Sequence, residues 1–134
     1  MIMSEIGRRT GDIIMQRAHR YERLALRARQ NPTLVLMGYT VGTLFVFLGI
    51  LDVLSTNWAL SVGAYELNDF MRAIMEFTGP FWVVPKLIFQ CTIAAMIVWS
   101  PNRATIGIMT IMCAWTSSVV TNNFVIAYSL SGMA

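Results

Sequence analysis

Residues 33–60 read TLVLMGYTVGTLFVFLGILDVLSTNWAL, an apolar stretch carrying one charged side chain, Asp52. A helix of this length rises about 42 Å at 1.5 Å per residue, more than the ~30 Å of a bilayer's hydrocarbon core. The stretch therefore reads as a membrane span. Asp52 is its anomaly, because an ionisable group at bilayer depth costs about 2.5–3.5 kcal/mol and normally has a partner or a task. Lys86 poses the same question inside the next apolar run.

The rest of the chain fits this class. Of its 134 residues, 56% are hydrophobic and 13% charged, with a mean hydropathy of +0.59. A soluble domain carries about a quarter charged residues. Two further apolar segments follow, 80–99 and 104–128, each near the ~20 residues a span needs. Asn31-Pro32 opens the first span, Gly79-Pro80 the second, and Ser100-Pro101-Asn102-Arg103 forms a tight turn before the third. The expected architecture is all-α, an integral membrane three-helix bundle (32–134) preceded by an amphipathic N-terminal helix (1–31). Trp58, Trp82 and Trp99 fall at span ends, as interfacial aromatic residues do.

Charge sets orientation. Arg8, Arg9, Arg17, Arg20, Arg23, Arg27 and Arg29 precede the first span, and Arg103 marks the second loop. The first loop carries Glu66, Asp69 and Glu76 against Arg72. The positive-inside rule then places the N-terminus inside and the C-terminus outside. No cleavable signal peptide is expected before the first span, which is expected to act as its own insertion signal. In the arm, Ile14, Ala18, Tyr21, Ala25 and Ala28 follow helical spacing, with Arg20, Arg23 and Arg27 opposite. Such a helix lies on an anionic inner leaflet or on a protein partner; a basic flank beside a span serves orientation and lipid contact rather than nucleic acid. In the first loop, Asn68 is placed to cap a short interfacial helix, 69–77, with Asp69–Arg72 and Arg72–Glu76 pairs.

Depth counting brings the polar residues together. Asp52 lies about 9 Å outward of mid-span, Lys86 about 6 Å and Asn122 and Asn123 about 8–9 Å. Gln90 lies a turn below Lys86, and Ser55 and Thr56 a turn above Asp52, so one hydrogen-bonded layer is expected. Three roles remain open for it: an internal ion pair fixing helix register, a proton, ion or small-molecule site, or recognition of another protein's helix. Gly38-x-x-x-Gly42 permits close helix contact within the bundle or with a partner subunit. Cys91 and Cys113 read as packing residues. No span holds a histidine that could ligate a haem, and the oxygen ligands Glu66, Asn68, Asp69 and Glu76 match no metal loop, so neither cofactor nor metal is expected. Phosphate loops, dinucleotide motifs and nucleophile elbows are absent from the sequence.

Residues 51–86 contain Leu51-Asp52-Val53-Leu54-Ser55-Thr56, Gly63-Ala64, Glu66-x-Asn68, Gly79-Pro80-Phe81 and Lys86. This resembles an uncharacterised family of small prokaryotic multi-pass membrane proteins patterned Asp-x-x-Ser/Thr-Thr, Gly-x-x-Glu-x-Asn-Pro, then a lysine in the next span. Asp52, Thr56, Gly63, Glu66, Asn68 and Lys86 occupy the motif positions, and Asp69 stands in place of the proline. The resemblance implies a prokaryotic cytoplasmic membrane and no particular activity. The function expected is non-enzymatic, a structural or accessory subunit of a homo-oligomer or larger membrane complex. The alternative is a transporter or channel using the Asp52, Lys86 and Asn122 layer.

Overall fold

Asparagine caps three of the four α-helices of residues 32–131. The Asn31 side chain accepts the N–H groups of Thr33 and Leu34 at 3.1 and 3.3 Å, with Pro32 at the first helical position, where it costs no hydrogen bond. Asn68 and Asn102 cap the second and last helices in the same way. In the computed structural model, which describes residues 14–16, 19–23 and 26–132, the elements are α1 (Pro32–Ser61), α2 (Asp69–Thr78), a 3-10 turn (Gly79–Trp82), α3 (Val83–Trp99) and α4 (Arg103–Ser131). Among the described residues there is no strand. α1, the run from α2 through α3, and α4 are each long and apolar enough to cross a membrane.

Two glycines make the turns. α1 ends in a Schellman cap: Gly63 takes φ +96°, its N–H donates to Leu60 O, and the N–H of Ala64 donates to Ala59 O. Gly79, at φ +57°, breaks the backbone between α2 and the second span. The regular helix of that span therefore begins at Val83 rather than at residue 80. α4 runs three residues past the expected end, to Ser131.

α1 is the common partner: α3 packs antiparallel and α4 parallel to it, rather than substantially on each other. The α1–α3 seam is built on small residues. Gly38 faces Pro101 and the Ile97 carbonyl, Gly42 faces Ala94 and Val98, and Gly49 lies under the carboxamide of Gln90. The close approach that Gly38-x-x-x-Gly42 permits is thus used inside the chain, and both glycines are buried from lipid and from any partner. α4 presents Ile106, Cys113, Val120 and Ala127 to α1, a seven-residue repeat suited to two nearly parallel helices. Phe45, Leu48, Ile97, Met109 and Cys113 form the core where the three helices meet. Cys91, expected to pack, instead faces outward from α3.

In the N-terminal arm, residues 14–16, 19–23 and 26–29 are helical. Arg20, Arg23 and Arg27 are exposed and Ala28 is half-buried; Arg8, Arg9, Arg17, Ala18 and Ala25 lie outside the described residues. Arg29 ties the arm to the bundle. Its Nε donates to the Trp99 carbonyl at 2.9 Å and its guanidinium sits 4.4 Å from the Trp99 ring centroid. A cation suits that position, since Trp99 closes α3 and exposes the negative end of its dipole.

Candidate functional site

Asp52, Ser55, Thr56 and Ala59 follow one another at three- and four-residue spacing, which gathers them on one face of α1. Lys86 comes from the first turn of α3 and Asn123 from α4. The Lys86 ammonium donates to Asp52 Oδ2 at 2.6 Å, with both side chains 14% exposed. Asn123 Nδ2 reaches Asp52 Oδ1, Ser55 Oγ and Thr56 Oγ1 at 3.5, 3.4 and 3.1 Å. The Ser55 hydroxyl donates to the Asp52 carbonyl within α1. One residue from each long helix therefore meets at a single level, and opposite charges at that spacing offset the desolvation each would suffer alone.

The expected layer differs in three places. Gln90 does not join it: its carboxamide lies over Gly49, and buried Oε1 has no partner among the described residues. Glycine supplies no side-chain donor, and the backbone N–H groups of α1 are committed to the helix. Asn122 is turned about 100° from Asn123 by helical geometry and is exposed, making no hydrogen bond among the described residues. Trp82, expected at an interface, is 5% exposed and covers Lys86, whose ammonium lies 5.2 Å from the ring centroid. The four-residue spacing of Trp82 and Lys86 carried that signal; the belt rule drew attention away from it.

A cavity of about 480 Å³ opens beside the pair, within the ~300–1,000 Å³ usual for small-molecule sites. Asp52 and Thr56 form its floor, Lys86 one wall and Val119 and Asn122 the other. Residues 64–68 roof it. The loop positions singled out in the sequence shape that roof: Gly63 turns the chain off α1, Glu66 Oε1 accepts the Asn68 N–H at 2.8 Å, and Asn68 caps α2. Arg72 holds the loop by pairing with Asp69 and donating to the Glu66 carbonyl. Glu76 takes no part in an ion pair among the described residues.

The site also has a closed end. Toward the Ser100–Asn102 turn, Gln90 over Gly49 and the Phe45–Ile97–Met109 core fill the space between helices. What opens at the loop end stops near mid-span.

Residues 43–130 match the family described as domain of unknown function, DUF5658. The chain belongs to this family. The DUF5658 match begins at residue 43, within α1, and takes in the whole polar layer, α3 and α4 up to residue 130, whereas the arginine-bearing arm and the start of α1 precede it. No curated protein and no solved structure matches the chain.

Proposed function

We propose that this DUF5658 protein is a non-enzymatic subunit that assembles in the membrane, with copies of itself or within a larger complex. One observation carries the reading: the ionisable groups of the spans are spent on each other, while most of each helix faces outward. Asp52 is bound to both Lys86 and Asn123, and Lys86 to Asp52, so neither stands ready as a free base or nucleophile. Only 28%, 22% and 22% of the most apolar stretch of each span is buried within the chain.

In this reading the chain sits in a prokaryotic cytoplasmic membrane, N-terminus inside. Arg20, Arg23 and Arg27 rest against anionic lipid of the inner leaflet, each worth about 1 kcal/mol there. Asp52, Thr56, Gly63, Glu66, Asn68 and Lys86 then act together, the first, second and last as a clamp on three helices and the others as its roof.

Native mass spectrometry of the full chain released in mild detergent tests this. A fixed stoichiometry, alone or with a constant partner, is the expected result, and a partnerless monomer contradicts it. Vesicles reconstituted with the protein alone should show no proton flux. Flux that disappears in Asp52→Asn would replace the subunit reading with transport.

A further inference from the structure

The cavity at the loop end has properties that neither an internal clamp nor a contact between subunits requires. It follows α4 from Ile126 to Trp115, eleven residues or about 16 Å along the helix axis. α3 contributes only Lys86 to its lining. Since α3 and α4 pack on α1 and not substantially on each other, the space between them opens sideways as well as beneath the loop. Trp115, near the middle of its span and far from either helix end, lines this opening and is 69% exposed. An indole at that depth has an apolar face to cover and lies outside the interfacial belt where tryptophans concentrate.

The polar end of the cavity carries its own charge pattern. Lys86 spends one N–H on Asp52 and has two more to give. Glu66 commits Oε1 to the Asn68 N–H, leaving Oε2 free of any hydrogen bond among the described residues. Asn122 adds an uncommitted carboxamide. With Asp52 and Lys86 cancelling, Glu66 leaves the lining one negative charge in excess. A purely anionic ligand is disfavoured by that balance. An uncharged one would leave the two remaining N–H groups of Lys86 and Glu66 Oε2 unanswered.

We infer that this cavity binds the zwitterionic head group of a membrane lipid. The phosphate takes the free N–H groups of Lys86 and the Asn122 amide, and the lipid's ammonium faces Glu66. The acyl chains leave between α3 and α4, across Val119 and Trp115. The volume holds a head group and glycerol region, with the chains continuing outside. Binding of this kind does not depend on subunit assembly, because every group named belongs to one chain.

The test is native mass spectrometry of the full chain in mild detergent, titrated separately with phosphatidylethanolamine, phosphatidylglycerol and diacylglycerol of identical chains. The expected result is one phosphatidylethanolamine per chain, bound about fivefold more tightly than either of the others, a gap of about 1 kcal/mol. Glu66→Gln should bring phosphatidylethanolamine and phosphatidylglycerol to within about twofold of each other. Ser118→Phe fills the cavity from a position whose hydroxyl serves only its own helix. It should weaken phosphatidylethanolamine at least about fivefold, with an unchanged melting temperature showing that the fold persists. Equal binding of the three lipids, or a preference unaltered in both variants, overturns the inference. Competition by free phosphoethanolamine at the lipid's own potency overturns the assignment to a lipid and leaves a soluble zwitterion in its place.

Discussion

The two halves of the helix bundle are held together by different means. Toward the Ser100–Asn102 turn, α1 meets α3 through backbone-to-backbone approach: Gly38 against Pro101, and Gly42 against Ala94 and Val98. Toward the 62–68 loop, long side chains bridge the helices, Lys86 to Asp52 and Asn123 to Asp52 and Thr56. Lipid tails are as apolar as leucine, so in a membrane neither half gains much from hiding apolar surface from water. Close packing does the work in one half and paired polar groups in the other. The packed half is filled by the Phe45–Ile97–Met109 core; the bridged half leaves a cavity.

The contrast is broken most severely by Lys86→Met, which strands the Asp52 carboxylate between helices. Thermal unfolding in mild detergent should show a loss of about 3 kcal/mol, as for other buried pairs deprived of one member. Next comes the seam of the packed half. A Cβ at Gly38 would sit 3.1 Å from the Cβ of fully buried Pro101, a rigid ring with little room to move. Gly38→Ala should cost about 1–2 kcal/mol by overpacking. At Gly42 the nearest neighbour would lie at 3.5 Å, ordinary contact, so Gly42→Ala should change stability by less than about 0.5 kcal/mol. Equal effects at the two glycines would mean that the seam does not run as described.

A smaller effect of opposite sign is expected where the halves meet. Gln90→Met removes a buried carbonyl oxygen that has no partner among the described residues and keeps most of the volume. It should stabilise the protein by up to about 1 kcal/mol, since an unsatisfied buried acceptor carries a desolvation cost of that order. A loss of stability would show that Gln90 serves the polar layer after all. Asn123→Ala should cost about 0.6 kcal/mol, typical of interhelical hydrogen bonding in a membrane. An effect as large as that of Lys86→Met would move the centre of the clamp to α4.

Much of this was legible in the sequence because its signals are local. Span lengths follow from hydropathy, the starts of the first and third spans from Asn31-Pro32 and the Ser100-Pro101-Asn102-Arg103 turn, and the shared level of Asp52, Lys86 and Asn123 from a fixed rise per residue. Helix rotation was not legible. In a soluble helix the polar face reveals which side is out, but α4 scatters its serines and threonines and has no single polar face, so nothing nearby distinguishes Asn122 from Asn123. Only the seven-residue row of Ile106, Cys113, Val120 and Ala127 against α1 decides it, and that row is visible once the partner helix is in place. Trp82 was misplaced for a related reason. Tryptophan at a span end usually faces the interface, but here the 3-10 turn after Gly79 swings it inward over Lys86. The cavity depends on residues from four separate segments and had no local signature at all.

The central claim is that Asp52 and Lys86 act on each other across α1 and α3, and a double-mutant cycle of Asp52→Asn and Lys86→Met, read by thermal unfolding in mild detergent, tests it most directly. Rescue is the expected outcome: the double variant should be more stable than Lys86→Met alone by about 2 kcal/mol, because no charge is left stranded. A double variant no better folded than the worse single one would contradict the account.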